Sequence, residues 1–474
     1  MIFFRLVLLA NLVAAAGGSA APPGRDAGKI YAELCANCHG EKLGGGKGPN
    51  LLGGTWKHGG DDASLARSIR DGFPLQGMPS FAKAVNPAET EALVAFLHEI
   101  ATRKIDPAPT NDLPLPDGVQ QSEEHAYRFE TVAEGLDVPW SMTFLPDGRM
   151  LVTERAGRLR LVDRRGLRPE MIGGLPPVVV KDEAGLMSVV ADPDFAREPW
   201  VYLSFSDPGP NDTAMTKLVR ARLRDFELVE PQTVFSIPRE RYPKGYVLFG
   251  SRLVFDGDYL FFSVGVRGLE EETTKSAQDL ALASGKIHRV FHDGKIPPDN
   301  PFVHTPGAVA SIWAYGVRNP QGLARDPRDG ALWETEHGPR GGDELNRIAR
   351  GKNYGWPLVT FGMNYDGTPI SDKTEAPGLE PPVMHWTPSI ATSEIEFYTG
   401  DKFPRWKNQL FLGSLAQQKF LRLVLDGGRV THVEEVFKDH GRVRDIKTGP
   451  DGLLYVALEL IGKPGRIVRL VPAD

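Results

Sequence analysis

The sequence predicts a small all-α domain followed by an all-β six-bladed β-propeller. Two observations carry that reading. Helical periodicity and helix-capping residues are confined to the stretch from Ala27 to Lys104, whereas from about residue 126 short β-branched and aromatic runs alternate with Asp-Gly turns. Within the second part a unit recurs. "LPDGRMLVTERAGRLRLV" at 145–162 and "GPDGLLYVALELIGKPGRIVRLV" at 449–471 share a P-D-G turn, a strand, a loop, then G-R and another strand; "VFDGDYLFFSVG" at 254–265 and "DPRDGALWETEHG" at 326–338 are weaker copies. Such β-units read as blades, none of which buries both faces alone, and roughly 350 residues at about 40–60 per blade give six. A β-sandwich or solenoid is the alternative packing of the same strands.

The chain opens with "MIFFRLVLLANLVAAAGGSAAPPG", one arginine in an apolar run and then small residues around Gly18, Ser19 and Ala20. This is the pattern of a signal peptide over residues 1–20, with an uncleaved membrane anchor as the other reading. No other stretch approaches the ~18 apolar residues of a membrane span, so no transmembrane segment is expected after cleavage. A net charge of -6 over 474 residues argues against a nucleic-acid partner.

Both cysteines lie in "LCANCHG", Cys35 and Cys38 two residues apart with His39 directly behind. C-x-x-C-H is the attachment pattern of haem c: two thioethers fix the porphyrin and the histidine ligates iron. A redox dithiol would want a βαβ context and a zinc site further ligands, and neither is visible. "DAGKIYAELCANCHG" keeps Ile30, Tyr31, Leu34, Cys35 and Cys38 near one helical face, "DDASLARSIRDGF" opens on capping aspartates, and in "NPAETEALVAFLHEIATRK" Asn86, Pro87 and Glu89 fit N-cap, N1 and N3. Met78, in the G-M-P turn of "DGFPLQGMPSF", is the candidate second axial ligand; thioether opposite histidine suits electron transfer, while its bland reading is core packing. Residues 25–104 resemble a small monohaem cytochrome c, and the export signal with c-type haem implies a bacterial periplasmic address.

Residues 105–125, "IDPAPTNDLPLPDGVQQSEEH", read as a Pro-rich extended linker. Beyond it, 126–474 form the propeller, whose loops can bring distant residues to one channel mouth. Five loops stand out as chemical. "IWAYGVRNPQGLA" (312–324) and "GRVRDIKTGPDG" (441–452) offer Arg318, Arg442 and Arg444; "EHGPRGGDELN" (336–346) offers Asp343 and Glu344 beside a Gly-Gly; "KNYGWP" and "HWTPSIATSEIEFY" complete the set. Taken singly, each arginine reads equally as a surface salt bridge and the acidic pair as a solvated turn.

Together these motifs resemble the pyrroloquinoline quinone (PQQ) dependent aldose sugar dehydrogenases of the glucose/sorbosone dehydrogenase family, from about Val132 to the C-terminus. The resemblance implies a six-bladed propeller that binds PQQ and calcium and oxidises an aldose sugar, or a related polyol or aldehyde, at C1. PQQ carries three carboxylates, for which guanidinium groups are natural partners; the implied PQQ ligands are Arg318, Asn319, Gln321, Arg442 and Arg444. The implied calcium ligands are the carbonyls of Gly338 and Pro339, and, at a second ion, Glu344 with the carbonyl of Tyr354. Electrons from the reduced quinone would then leave through the chain's own haem to an acceptor such as a cytochrome or oxidase.

The sequence breaks the family pattern at the general base. The family's histidine falls on Leu248 and the aspartate that orients it on Val266; leucine accepts no proton at any pH. Val317 replaces a further family histidine, and the family's lysine near the quinone falls on Ala416, with Lys419 further on. The catalytic residue is therefore unknown from sequence, with His337 a weak candidate beside Glu336 and Tyr246. Two alternatives stay open: a PQQ- or sugar-binding propeller without turnover, and an interaction module carrying an electron-transfer cytochrome.

Overall fold

The computed structural model describes residues 25–102 and 113–473, apart from 41–42, 44, 46–47, 52–55, 269–273 and 366–367. The expected signal peptide and the first part of the expected linker lie outside the described residues.

Among the described residues the N-terminal unit has four α-helices, α1 (Ala27–Leu34), α2 (Ala36–His39), α3 (Asp62–Asp71) and α4 (Pro87–Thr102). Their starts follow local chemistry. Asp26 and Asp61 accept the backbone N–H groups of Lys29 and Ser64 at 3.1 and 2.9 Å. At α4, Asn86 and Glu89 form a reciprocal capping box, each side chain accepting the other's N–H at 2.9 and 3.0 Å. Ile30, Tyr31, Leu65, Ile69, Leu93 and Leu97 bury the apolar stripes of α1, α3 and α4 in one core.

The described residues of the rest of the chain form six antiparallel sheets, five of four strands and one of five. Each blade enters on its inner strand: Pro139–Phe144, Leu186–Ala191, Gly250–Asp256, Pro320–Arg325, Thr392–Phe397 and Arg442–Thr448 for blades one to six. All four recurring sequence units place their turn at the equivalent point, between inner and second strand of blades one, three, four and six. Blades two and five make that connection through "DPDFAREP" and "YTGDKFPRWKNQ" instead, which hides them from a search for the repeat. The ring closes on itself because Ala126–Leu136 pairs with the last strand, Lys463–Pro472, from Tyr127 opposite Pro472 to Leu136 opposite Gly465.

Part of the segment read as a tether belongs to the propeller surface. Leu113 N–H donates to the Asp439 carbonyl at 2.7 Å, Gln120–Gln121 adds a short strand beside Ala126–Tyr127, and Glu123 pairs with Arg422 at 3.0 Å and His432 at 2.6 Å. Among the described residues no helix is long and apolar enough to cross a membrane.

The channel axis is filled by charge. Arg252, buried on the inner strand of blade three, donates from Nε to the Gln321 carbonyl at 2.7 Å and from a terminal nitrogen to the Arg444 carbonyl at 2.6 Å. It pairs with Glu394 at 2.8 Å and lies 3.6 Å from Asp445. Asp445 in turn accepts the Met142 N–H at 2.5 Å. One guanidinium thus reaches blades four, five and six, and its carboxylate neighbour reaches blade one. Replacing one member of a buried ion pair leaves the other desolvated and uncompensated, a cost of about 3–5 kcal/mol. Arg252→Met should therefore lower the unfolding free energy of the propeller by about that amount, read as a fall in its urea midpoint; an unchanged midpoint would mean that Arg252 does not tie the blades together.

Candidate functional site

In the N-terminal unit the chemistry gathers at the α1–α2 junction. Cys35 and Cys38 are half-buried and free of any disulfide, and burial pushes the Cys35 thiol up to about 12, the opposite of a reactive thiolate. His39 is buried, with Nδ1 2.8 Å from the Pro49 carbonyl. A carbonyl only accepts, so Nδ1 carries the proton and Nε2 keeps its lone pair for a metal, the usual orientation of a ligating histidine. Burial also lowers the His39 pKa, which favours that neutral form. Gly48 packs so closely on the ring that an added Cβ would lie 2.8 Å from Cε1. Met78 bridges to Phe73 through the backbone, and its side chain packs, like that of Cys35, against the α1–α3–α4 core. This donor set fits a covalently held haem.

In the propeller, the N-terminal ends of the six inner strands open on one mouth of the channel, and the candidate PQQ residues lie there. Arg442 and Arg444 open the inner strand of blade six, and Arg318 and Asn319 immediately precede that of blade four. Arg442 and Arg444 share one carboxylate, Glu459, at 3.1 and 2.5 Å. Burial opposes the Glu459 charge, but the two guanidiniums prevail and hold its pKa down to about 2; burial lowers that of Arg444 to about 10. Arg444 stacks over Trp140, 4.7 Å from its ring centre, and Arg318 over Trp356 at 5.2 Å. Arg318 donates to the His337 carbonyl at 2.8 Å, while Gln321 donates to Asn319 Oδ1 at 3.1 Å. The backbone bonds of Arg252 to residues 321 and 444 tie the two arginine loops together.

Beside this cationic zone lies an acidic one. Asp343 accepts the Gly338 N–H at 2.9 Å, the Ser389 hydroxyl at 2.8 Å and the Ala391 N–H at 2.6 Å, which shapes the 338–343 turn. Gly338 must be glycine, since a Cβ would lie 2.1 Å from the Gly341 carbonyl oxygen. Glu344 and Glu334 share the amide of Asn346 at 3.3 and 3.1 Å. Burial raises the pKa of Glu334, Glu336 and Glu344, that of Glu336 to about 7. Glu334 Oε1 and Asn346 Oδ1 are buried without a hydrogen-bond partner among the described residues. Buried oxygens in excess of donors suit a hard cation. Among the described residues no three His, Cys, Asp or Glu side chains converge as metal ligands, so an ion there would also draw on backbone carbonyls. Tyr354 closes the same cleft, its hydroxyl donating to the Arg347 carbonyl at 2.7 Å.

The candidate bases fare differently. His337 Nε2 lies 2.6 Å from the Thr392 carbonyl, so that nitrogen holds a proton and donates it. Glu336 Oε2 accepts the backbone N–H groups of Arg318 and Asn319, a structural task. Tyr246 bonds Asp212 at 2.5 Å, and that hydrogen bond pushes its phenol up to about 12. Lys419 pairs with Glu435 at 3.3 Å on the neighbouring strand of blade five, outside the mouth.

At the family's base position Leu248 and Val266 are buried with Ala277 and Trp356 in a small apolar cluster. Leu248, at φ 58°, takes the left-handed conformation just ahead of an inner strand, as do Val138 at 51° and Ala391 at 53°. Bulky residues seldom adopt it, and such strain, of order 1–3 kcal/mol each, gathers at functional sites. Sequence reading missed Glu459, Trp140 and Glu183, whose carboxylate accepts the Leu248 N–H at 2.9 Å.

Residues 136–469 match the family model described as Glucose / Sorbosone dehydrogenase. The chain belongs to this family. Residues 22–97 match a second model, Cytochrome C oxidase, cbb3-type, subunit III, so the family's propeller here carries a cytochrome c domain. The aldose sugar dehydrogenase YliI of Escherichia coli K12 is 42% identical over 73% of this chain and 93% of its own length. The apo-form crystal structure of the soluble aldose sugar dehydrogenase from Escherichia coli superposes with a TM-score of 0.68 at 40% identity, covering 73% of this chain and 100% of that one. The PQQ-bound aldose sugar dehydrogenase of Streptomyces coelicolor gives 0.61 at 28% identity over 75% of this chain and 99% of that one.

The acidic zone predicts a pH dependence. Glu336 and Asp343 in this zone, and Glu394 on the channel axis, are all raised by burial, to about 7, 6 and 7. For a carboxyl raised on folding, the stabilising contribution is complete below the ordinary value near 4.5 and is lost as pH rises through the folded one. In chelator, the denaturation midpoint should fall between about pH 4.5 and 7, and Glu336→Gln should flatten that fall. An equal slope in the variant would remove Glu336 from the titrating set.

Proposed function

We propose that the chain is a periplasmic quinohaemoprotein oxidoreductase that oxidises an aldose sugar at C1 to the lactone and passes the electrons to its own haem c. The observation that carries this reading is the surplus of buried guanidinium at the propeller mouth, where Arg442 and Arg444 share a single carboxylate in a chain that also bears C-x-x-C-H. Residues 25–104 are the haem domain, with Cys35 and Cys38 as covalent anchors and His39 and Met78 as axial ligands. Residues 126–474 are the dehydrogenase domain. PQQ would supply a quinone that accepts hydride, and calcium a Lewis acid that polarises it.

The chain's own residues have definite tasks in this scheme. Arg318, Arg442 and Arg444 clamp carboxylates, Asn319 and Gln321 fix in-plane orientation through their mutual hydrogen bond, and Trp140 and Trp356 hold two of the guanidiniums in place. Gly338 and Pro339 offer carbonyls and Glu344 a carboxylate to calcium, with the Tyr354 carbonyl beside it. The apolar pair Leu248 and Val266 favours a second reading, a propeller that binds PQQ or sugar without turnover.

The deciding experiment reconstitutes exported, haem-loaded protein with PQQ and calcium and follows the haem spectrum while aldoses are added. Haem reduction supports turnover, PQQ binding without reduction selects the second reading, and failure to bind PQQ excludes turnover and leaves only the sugar-binding form of the second reading. Arg444→Ala should weaken PQQ binding to the apoprotein by about 2–5 kcal/mol, the usual cost of truncating one partner of a buried charge pair. A change below about 0.5 kcal/mol would take Arg444 out of the cofactor site.

A further inference from the structure

A propeller of this family without an imidazole at position 248 still needs a group to take the sugar's hydroxyl proton. Such a group must sit at the channel mouth, reach the space beside the arginines and exchange protons with water. Of the candidate bases already named, Tyr246 keeps its phenol proton on Asp212, and Glu336 and His337 are anchored beside the acidic zone, Glu336 by the N–H groups of Arg318 and Asn319 and His337 by its Nε2–H on the Thr392 carbonyl, whereas Glu183 is bonded to position 248 itself. Glu183 lies just ahead of an inner strand, at the mouth, is open to water, and is joined to the arginine loops by a chain of direct contacts.

Glu183 lies in the tight turn that feeds the inner strand of blade two, three residues before Leu186. It is half-buried, so water reaches it. Its backbone N–H donates to the Tyr246 carbonyl at 3.0 Å, and its Oε2 accepts the Leu248 N–H at 2.9 Å. The carboxylate is thereby fixed to the backbone of the very residue that replaces the family's histidine. Its other oxygen, Oε1, has no hydrogen-bond partner among the described residues. Leu248 and Val266 pack against Trp356, which stacks with Arg318, and Val266 N–H donates to the Arg318 carbonyl at 2.9 Å. A chain of direct contacts thus runs from Glu183 to the arginine clamp. Behind it Arg267, fully buried, donates to the carbonyls of Val247, Ala214 and Gly245 and holds the 245–248 segment, with Glu183 the carboxylate that offsets its burial.

We propose that Glu183 is the catalytic base, standing in for the missing histidine. This rests on the aldose-oxidation reading above. In the step, the C1 hydroxyl proton passes to Glu183 Oε1 as the C1–H bond breaks and its hydride, with both electrons, leaves for the ortho-quinone cofactor. The C1–O single bond becomes the lactone carbonyl, and the neutral carboxyl returns its proton to water. The Leu248 N–H, bonded to Oε2, keeps Oε1 aimed throughout, as an orienting carboxylate would for an imidazole.

The test compares wild type, Glu183→Gln and the triple variant Glu183→Gln/Leu248→His/Val266→Asp. Glutamine keeps the size and the hydrogen-bond acceptor for Leu248 N–H but takes no proton. Three quantities are read: PQQ affinity of the apoprotein, thermal midpoint, and the rate of aldose-driven haem reduction with PQQ and calcium bound. The expected result is unchanged affinity and midpoint in Glu183→Gln with a rate lower by about 10²–10⁴-fold, the usual worth of a general base. The triple variant should recover part of that loss. A Glu183→Gln rate within threefold of wild type overturns the proposal. So does a loss of rate matched by lost PQQ affinity or a lower midpoint, since Glu183 would then be a binding or structural residue. Wild type that binds PQQ yet reduces no haem with any aldose overturns the aldose-oxidation reading, and the base with it, a result distinct from an active wild type with an equally active variant.

Discussion

Closure around an axis is the constraint on which the rest of the propeller depends, and Arg252 is where it is met. Six inner strands set in a ring leave a central space that backbone atoms cannot fill, and the carbonyls facing it must find donors. A guanidinium suits that task better than an ammonium because its five donors are fixed in one plane and point outward in a fork. Arg252 uses them on the carbonyls of Gln321 and Arg444 and on Glu394, and Asp445 extends the network to Met142. Lys447 joins from the same strand, 3.6 Å from both Glu394 and Asp445; burial opposes its charge, yet those carboxylates raise its pKa overall. The strand pairing of Ala126–Leu136 with Lys463–Pro472 closes the ring at its perimeter, but the axial network sets how the inner strands align. That alignment brings six strand starts to one mouth.

The mouth is then divided by charge. Guanidiniums outnumber carboxylates around Glu459, whereas carboxylates outnumber donors around Glu334, Glu336 and Glu344. Neither imbalance favours the fold, since buried charge without a partner costs several kcal/mol. The two zones are stitched together by Glu336, which accepts the N–H groups of Arg318 and Asn319, so that each is held rigid while remaining incompletely compensated. A site of this kind is pre-organised for an anion and a cation side by side. A tricarboxylate quinone with a divalent ion is such a pair, and the same surplus charge that weakens the apoprotein would be satisfied on binding.

Much of this was legible in the sequence, for identifiable reasons. The Asp-Gly turns marked four of the six blades because a tight turn needs those residues; the corresponding loops of blades two and five are longer and irregular, so their sequences carry no common mark. The C-x-x-C-H motif was legible because covalent chemistry fixes its spacing, and the arginine loops because carboxylate recognition fixes their residue type. Position was harder. "SEEH" reads as polar linker, yet Glu123 lies in an ion-pair network with Arg422 and His432 that only the fold assembles. His337 looks like a base in sequence, and only the carbonyl of Thr392, 55 residues away, makes its nitrogen a donor. Nothing local in "VKDEAGL" reveals that Glu183 meets the N–H of Leu248 across 65 residues.

The two replacements at 248 and 266 become mutually consistent once the base is a carboxylate. An imidazole has two nitrogens, and a partner must hold one of them so that the other accepts the proton; that is what an aspartate at 266 would do. A carboxylate has no tautomer to fix, so one backbone N–H is enough to aim it, and Leu248 supplies it. An aspartate retained at 266, packed beside Leu248, would then add a second negative charge near Glu183 without any imidazole to orient. Like charges brought together in one partly buried site repel each other, a cost that nothing in an imidazole-free site offsets. Valine avoids that repulsion and packs with Leu248 under Trp356.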